Sequence, residues 1–330
     1  MGIKSDNPTT ITILCDTLQL LLLKDMKKVI LMNLDNVKLN LDTKVVLNIG
    51  DPIGKTNAPR AYNALFSDLD MNAIMLPAQI KKGELGQFMK ACRTLGIKYF
   101  SPTMPHKADI IQYLDDVDEK SRIFNSVNSV YIDDDGIAHG AGMDGKGAVN
   151  ALREHDVTLE GKNAVILGTG SISGVIGLEL ALNGVKKITL LNRTNDRLQN
   201  ISGILRENTQ CEIVPMQLNS QNLDIAAEDA DVFLQCSPLG MAGYPAKHEY
   251  LGFIDLLPTN ATVFDVVINP PDTQVISAAK ARGLRTVPGM DMLAGQMSEI
   301  FKFMFNVNLT KENKNACKEE LFSYLGIRGK

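Results

Sequence analysis

The sequence predicts an α/β fold built from two α/β domains, and three observations support this prediction. The chain has 330 residues, which is long for a single hydrophobic core and sufficient for two. In its second half, short apolar runs typical of buried strands alternate with helical stretches, which indicates a parallel sheet with helices on both faces. Residues 163–194 form a complete strand–helix–strand unit with a glycine-rich loop after the first strand.

The first half of the chain begins with an extension, residues 1–43, and continues as strand–helix units. The extension contains a weakly alternating segment typical of a hairpin around Asp35 and Asn36. An added β unit could cap a domain edge or build a homodimer, and the sequence leaves both open. The elements predicted next are strands at Lys44–Ile49, near Tyr99–Phe100 and at Ser126–Ile132, and helices at Arg60–Asp68, near Gly83–Leu95 and ending at His155.

The second half repeats the alternation of strand and helix more regularly. Its last helix is expected to pack back on the first domain. The predicted strands are Ala164–Leu167, Lys187–Leu191, Cys211–Val214, Val232–Gln235 and Val263–Val267, and the predicted helices are Ser173–Asn183, a long apolar helix to about Phe305, and Asn313–Leu325.

The loop of the strand–helix–strand unit runs from Gly168 through Gly170, Ser171 and Ile172 to Gly174, with the spacing GxGxxxG. Glycines here allow a tight turn and a close approach of the backbone to a pyrophosphate, which the N-terminus of the following helix stabilises. We therefore expect the first four of these residues to bind a dinucleotide. A turn without a ligand is the alternative for this motif taken alone.

The end of the second strand of this unit favours NADP. At the position where an acidic residue would bind the ribose 2′-hydroxyl of NAD, the chain has Asn192, Arg193 and Thr194, and Arg197 follows. A guanidinium suits the 2′-phosphate of NADP because its planar set of donors matches phosphate geometry. NADP is therefore the expected cofactor, with NAD as the alternative.

Composition excludes several classes of function. The net charge is −4 and charged residues make up 22% of the chain, so nothing indicates binding to nucleic acid or to a membrane. The apolar stretch of residues 11–23 is interrupted by polar residues and is too short to span a membrane. The five cysteines are scattered without metal-ligand spacing, so we expect reduced thiols, a cytoplasmic location and no metal.

Polar residues follow several of the predicted strands, where sites in open α/β sheets usually lie. Two prolines fix the loop Ser101–Lys107, and Asp144 ends a loop flanked by glycines. A pair formed by Lys107 and Asp144 could transfer the proton that accompanies a hydride. A nearby carboxylate stabilises the ammonium form, so the lysine would donate to a carbonyl during reduction. The alternative is a surface lysine and an unrelated aspartate that caps a helix.

The histidines are weaker candidates for proton transfer than this pair. His155 is expected at a helix end and His248 in a surface loop, which favours structural roles. His106 is the exception by position, but Lys107 beside it is the better candidate. The four histidines are His106, His139, His155 and His248.

An ordered series of motifs resembles the shikimate/quinate dehydrogenase family. The similarity covers about residues 44 to 305, and the ordered set is far more specific than any single motif. The motifs are Gly50-Asp51-Pro52-Ile53, Thr103-x-Pro105-x-Lys107, Val127-Asn128-Ser129, Asp144-Gly145-x-Gly147, Gly168-x-Gly170, Asn192-Arg193-Thr194, Ser237-Pro238-Leu239-Gly240-Met241, Asn269-Pro270 and Gly289-x-x-Met292-Leu293-x-x-Gln296.

The resemblance implies a substrate-binding, catalytic domain and a Rossmann-type NADP-binding domain with a cleft between them. The catalytic domain is expected to comprise residues 44–150 and to be completed by helices in 290–330, and the NADP-binding domain is expected to comprise residues 151–289. Residues 1–43 are expected to be an extension that packs on the first domain. The resemblance further implies interconversion of shikimate and 3-dehydroshikimate with Lys107 and Asp144 as the catalytic pair. The other residues implied are Thr103, Asn128 and Gln296 on the substrate hydroxyls, and Ser237 and Gly289 on the nicotinamide side.

Departures from the family pattern concern the substrate pocket. Where the family has two serines for the substrate carboxylate, this chain has Thr56 and Ala58, and Ile268 replaces a tyrosine. A lost hydrogen bond to a charged group costs about 1.5–3 kcal/mol. Lys55 is a hypothetical replacement donor. The alternatives are therefore the same chemistry on quinate or another ring alcohol, and a non-catalytic NADP-binding sensor.

Overall fold

The structure is a computed structural model that describes residues 39–54 and 56–326. Within these residues the chain forms two six-stranded sheets with helices packed against them. The hairpin predicted around Asp35 and Asn36 and the hypothetical donor Lys55 lie outside the described residues.

The first sheet is mixed. Its strands are β1 Lys44–Gly50, β2 Ala73–Gln79, β3 Tyr99–Pro102, β4 Asp116–Val117, β5 Ser129–Ile132 and β6 Ala138–Ala141, in the order β2-β1-β3-β5-β6-β4. Strand β1 is parallel to β2 and β3, whereas β5 is antiparallel to β3 and β6. The parallel pairing brings the carboxyl ends of β1 and β3 together, so the loops after Gly50 and Pro102 meet at one edge.

The second sheet is parallel throughout and has the strand order of a dinucleotide-binding fold. Its strands are β7 Asn163–Leu167, β8 Lys187–Asn192, β9 Glu212–Gln217, β10 Val232–Gln235, β11 Thr262–Asp265 and β12 Arg285–Pro288, in the order β12-β11-β10-β7-β8-β9. The strand order reverses between β7 and β10, and ligands bind at such a switch point. The predicted α/β fold with a parallel sheet is confirmed.

Alternation along β7 shows why this sheet is covered on both faces. Ala164 and Ile166 belong to one apolar core, and Val165 and Leu167 belong to another. Since successive side chains of a strand point to opposite faces, helices must bury both faces.

The helices follow the strands in the pattern expected of α/β units. They are α1 Ala58–Asp68, α2 Leu85–Leu95, α3 His106–Asp109, α4 Glu119–Ile123, α5 Asp144–Glu154, α6 Ser171–Leu182, α7 Asn195–Asn208, α8 Ser220–Glu228, α9 Phe253–Leu256, α10 Gln274–Ala281, α11 Gly289–Phe305 and α12 Lys311–Tyr324. None of the helices in the described ranges is long and apolar enough to cross a membrane.

The two C-terminal helices return to the first sheet. Phe301 and Phe305 of α11 pack on Phe66 of α1, with ring centroids 5.5 Å apart in both pairs. Cys317 and Leu321 of α12 enter the same apolar core. Helix α11 therefore belongs to the packing of the first sheet, although its first residue directly follows the last strand of the second.

Candidate active site

Lys107 and Asp144 form an ion pair, with 2.7 Å between Lys107 Nζ and Asp144 Oδ2. The other carboxylate oxygen, Oδ1, accepts hydrogen bonds from Asn128 Nδ2 at 3.0 Å and from Gln296 Nε2 at 2.6 Å. The carboxylate side chain is only 10% exposed and the lysine side chain 28%. Four residues predicted from distant parts of the sequence thus meet around one carboxylate. An ammonium group has three donors, so Lys107 can bind Asp144 and a substrate oxygen together.

The turn between β3 and α3 holds Lys107 in place. Thr103 N donates to Ile49 O at 2.8 Å, which ties the turn to β1. His106 is fully buried, and its Nε2 lies 2.6 Å from Ile80 O. Because a carbonyl oxygen only accepts, Nε2 carries the proton and donates. His106 therefore anchors the turn, in keeping with a structural role.

Asp144 is the first residue of α5, and the turn before it is fixed by two side chains. Met143 N donates to Asn128 Oδ1 at 3.1 Å, and Gly142 N donates to Ser121 Oγ at 2.6 Å. Asn128 thus binds both the carboxylate and the backbone that precedes it. The sequence did not single out Ser121, which has no motif around it.

Two glycines of α5 bring the neighbouring helices against the catalytic pair. A Cβ atom on Gly145 would lie 2.4 Å from Val175 O of α6. A Cβ on Gly147 would lie 2.8 Å from Gln296 Cβ of α11. The missing side chains permit close packing, so α6 and α11 both pack closely on the first turn of α5, which begins with Asp144.

The glycine-rich loop lies at the switch point and suits a pyrophosphate. Gly168 has a φ of +98°, which disfavours other residues, and a Cβ there would lie 3.1 Å from Ser237 Cβ. The Thr169 and Ser173 hydroxyls are buried without a hydrogen-bond partner among the described residues. Buried hydroxyls are normally hydrogen-bonded, so these two groups fit a site completed by a ligand. Sequence reasoning missed both.

The residues predicted to bind the adenosine end lie at the carboxyl end of β8 and in the first turn of α7. Asn192 Nδ2 donates to Thr194 O at 3.0 Å, and Gln217 Nε2 donates to Arg193 O at 2.7 Å. These bonds fix the backbone of the turn. Arg193, Thr194 and Arg197 are exposed, so both guanidinium groups are accessible to the phosphate of a ligand.

Two buried polar residues at the ends of β10 and β11 were not identified as candidates from the sequence. Gln235 and Asp265 are each fully buried and lie opposite one another in the strand register. Burial raises the pKa of the Asp265 carboxyl to about 6, although hydrogen bonds from Thr273 and Val267 lower it. Burial also raises the pKa of the Cys236 thiol. The available signal was a polar residue closing an otherwise apolar strand.

The remaining predicted residues are not hydrogen-bonded to the catalytic pair within the described chain. Thr56 Oγ1 accepts from Ala58 N at 3.3 Å at the start of α1. Ala58 and Ile268 are partly buried against the same apolar core, which also contains Met143. Gly289 begins α11, and a Cβ there would lie 2.6 Å from Val267 O.

On the glycine-rich loop, Gly170 has open space around it, with Cys236 O at 4.0 Å from a Cβ placed there, and Ile172 packs on the apolar core of the second sheet. The Ser171 side chain lies outside the described part of the structure.

Family models match both halves of the chain. The model for the shikimate dehydrogenase substrate binding domain matches residues 48–130, and the model for shikimate / quinate 5-dehydrogenase matches residues 150–238. The first match contains Lys107 and Asn128, and the second contains the glycine-rich loop.

Individual proteins show the same similarity along most of their length. A shikimate dehydrogenase (NADP⁺) of Alkaliphilus oremlandii is 35% identical over 81% of this chain and 93% of its own. The crystal structure of shikimate 5-dehydrogenase from Listeria monocytogenes, in complex with shikimate and NAD, is 25% identical over 86% of this chain and 98% of its own, with a TM-score of 0.79. The crystal structure of a shikimate dehydrogenase in complex with NADP⁺ is 26% identical over 88% of this chain and 98% of its own, with a TM-score of 0.75. The resemblance read from the motifs is confirmed, and the chain belongs to the shikimate dehydrogenase family.

Proposed function

We propose that this protein is an NADP-dependent shikimate dehydrogenase, which interconverts a ring hydroxyl of shikimate and the ketone of 3-dehydroshikimate. The observation that carries the proposal is the Lys107–Asp144 ion pair, whose carboxylate also accepts from Asn128 and Gln296. A sensor that only binds a nucleotide needs no such pair. The names of the relatives agree with this activity.

In the proposed reaction, NADP⁺ held at the strand ends of the second sheet would supply the acceptor for the hydride of the ring carbon. The neutral amine form of Lys107 takes the hydroxyl proton as the hydride leaves, and the resulting ammonium returns this proton to the ketone in the reverse direction. Asp144 orients the lysine through their ion pair. Asn128 and Gln296 hold the Asp144 carboxylate. Together with Thr103 they bind the neighbouring hydroxyls of the substrate ring.

The cofactor residues divide along the strand ends of the second sheet. Gly168, Gly170, Ser171 and Ile172 would hold the pyrophosphate at the N-terminus of α6. At the end of β8, Asn192, Arg193, Thr194 and Arg197 would bind the adenosine 2′-phosphate, and Ser237 and Gly289 would line the nicotinamide side. Two exposed guanidinium groups support NADP rather than NAD.

The substrate carboxylate is proposed to bind near Thr56. The Thr56 hydroxyl accepts from Ala58 N, so its own proton remains available as a donor. Ala58 and Ile268, which pack against the core of the first sheet, offer no hydrogen-bond donor from their side chains. A pocket with fewer donors would bind the carboxylate more weakly than one with two hydroxyls.

We further propose that the protein is cytoplasmic and forms a homodimer. Each chain is proposed to have the domain boundaries given above. The thiols of Cys92, Cys211, Cys236 and Cys317 are free, which agrees with a reducing compartment. Sedimentation at several protein concentrations tests the dimer, and a monomer throughout would contradict it.

The test of the function is a panel of initial rates with purified protein. Shikimate and quinate are each offered with NADP⁺ and with NAD⁺, and NADPH or NADH formation is followed by absorbance. Highest kcat/KM for shikimate with NADP⁺ is expected. A preference for quinate would redefine the substrate, and NADPH binding without turnover of either acid would contradict the proposed activity.

A further inference from the structure

The course of the dinucleotide follows from the strand ends of the second sheet. The adenosine end is proposed at the end of β8 and the pyrophosphate at the loop after β7. Because β10 and β11 lie on the other side of β7, the nicotinamide half must extend over their carboxyl ends. The groups that fix those two ends therefore fix the reacting ring.

Gln235, the last residue of β10, binds the loop that follows its own strand. Its Oε1 accepts from Ser237 N at 2.7 Å, and its Nε2 donates to Ser237 O at 2.8 Å. The same Nε2 lies 3.3 Å from Leu239 O. The side-chain amide thus pairs with both backbone groups of Ser237, as a neighbouring strand would. A Cβ on Gly168 would lie 3.1 Å from Ser237 Cβ, so the backbone that Gln235 holds packs against the glycine-rich loop.

Asp265, the last residue of β11, binds the next loop in the same manner. Its Oδ1 accepts from Val267 N at 2.9 Å, and its Oδ2 accepts from Thr273 Oγ1 at 2.6 Å. A backbone bond of 2.7 Å from Ala242 N to Asn269 O then joins the two loops. Two buried side chains therefore hold the loops after β10 and β11, and a backbone hydrogen bond joins these loops to each other.

Helix α11 connects these loops to the catalytic pair. Gly289 packs on the carbonyl groups of Val266 and Val267, where a Cβ would lie 2.6 Å from both oxygens. Seven positions later, about 10 Å along the axis, Gln296 donates to Asp144. One continuous helix thus contacts the loop beside the proposed nicotinamide site and the carboxylate of the proposed proton-transfer pair.

From this arrangement we infer that Gln235 and Asp265 are positioning residues for hydride transfer. They hold the backbone around Ser237 and Val267, and so set the distance between the nicotinamide ring and the carbon held beside Lys107. The inference rests on the proposed function for the identity of the reaction. It assigns a role to two buried residues that are not among the proposed cofactor- or substrate-binding residues.

The test compares Gln235→Met and the milder Gln235→Asn with the wild-type protein. Methionine fills similar space without pairing to Ser237, and asparagine keeps an amide that is one carbon short. Misplacement of a reacting group by about 1 Å can cost about 100-fold. We expect kcat to fall by about 10- to 100-fold, with a larger deuterium isotope effect from shikimate labelled at the reacting carbon. Affinity for 2′,5′-ADP, which lacks the nicotinamide half, should be unchanged.

The matched control is Ser202→Ala. Ser202 is also fully buried in this half of the chain, and its hydroxyl donates to Leu198 O at 2.7 Å within α7. Equal kcat and isotope effect in the Gln235 and Ser202 variants would overturn the inference. Loss of 2′,5′-ADP affinity in the Gln235 variants would also overturn it, because the side chain would then support the whole fold.

A second readout separates this inference from the proposed function. The emission of bound NADPH comes from its nicotinamide ring, so a loosened ring should emit less in the Gln235 variants than in wild type. If wild type binds NADPH but turns over no ring alcohol, the proposed function fails while this comparison still decides the role of Gln235. Unchanged NADPH emission in both Gln235 variants would contradict the positioning role of Gln235. Failure of the wild-type protein to bind NADPH would contradict both this role and the proposed function.

Discussion

Replacing Asp144 with asparagine removes the charge of the proposed pair at almost constant volume. The carboxylate accepts from Lys107 on one oxygen and from Asn128 and Gln296 on the other. An amide has only one acceptor oxygen, so its NH₂ group must face either the ammonium or the two amide donors. At least one contact to a charged group is lost, at a cost of about 1.5–3 kcal/mol.

The consequence for catalysis is larger than the consequence for binding. General acid–base groups contribute about 10²–10⁴-fold to rate, so kcat for shikimate oxidation should fall within that range when Lys107 loses its orienting partner. The Kd for NADPH, measured by fluorescence, should not change, because Asp144 is not among the proposed cofactor residues. Initial rates at saturating shikimate and NADP⁺ measure the effect.

The control is Asp115→Asn. Asp115 accepts from Arg93 Nη2 at 3.2 Å and from Ala138 N at 2.8 Å, in an exposed position on the first sheet. This variant also loses an ion pair of an aspartate, yet it should keep wild-type kcat. If Asp144→Asn behaves like Asp115→Asn, the reasoning from the ion pair to proton transfer is refuted.

Three further predictions concern the second sheet. Arg193→Ala should weaken NADP⁺ binding by about 10- to 100-fold without affecting NAD⁺ binding. Arg206→Ala, at the far end of α7, should change neither affinity. Equal loss of affinity for both cofactors in Arg193→Ala would refute the assignment of Arg193 to the 2′-phosphate. Gly168→Ala places a Cβ at a φ of +98°, 3.1 Å from Ser237, so it should lower the free energy of unfolding by about 1–3 kcal/mol and weaken NADPH binding, as urea unfolding and fluorescence titration would show. Asp265 has a pKa of about 6 when folded and about 4 when unfolded, so the folded state binds more protons between these values and the free energy of unfolding falls as pH rises through them. Relative to Asp265→Asn, wild type should lose about 3 kcal/mol between pH of about 4 and about 6, and parallel pH curves would contradict the buried carboxylate.

The second sheet could be predicted almost completely from the sequence, and the first only in part. Strands such as β7 are apolar on both faces and end in glycine or polar turns, so their pattern is unambiguous. Strand β2 was missed because Pro77 interrupts it and its second half is partly exposed at the sheet edge. Strand β6, Ala138–Ala141, contains a histidine and a glycine and only two apolar residues. Its pairing with β5 and β4, which the sequence does not reveal, makes it a strand.

The candidate site shows the same division. Lys107, Asn128, Asp144 and Gln296 lie in motifs, and the structure brings all four to one carboxylate. Gln235 lies in no motif and is marked only as a polar residue that closes an apolar strand, because its importance comes from hydrogen bonds to a loop that only the folded chain places beside it.

The most direct test of the central claim is the rate of NADPH formation from shikimate and NADP⁺ by the wild-type protein and by Lys107→Met, with NADPH affinity measured in parallel. Methionine keeps the length of the apolar side chain and removes the ammonium group. We predict steady turnover by wild type, a loss of about 10²–10⁴-fold in kcat for the variant, and equal NADPH affinity. Comparable kcat in the two proteins, or no turnover of shikimate by wild type, would contradict the assignment of Lys107 and Asp144 as the proton-transfer pair of a shikimate dehydrogenase.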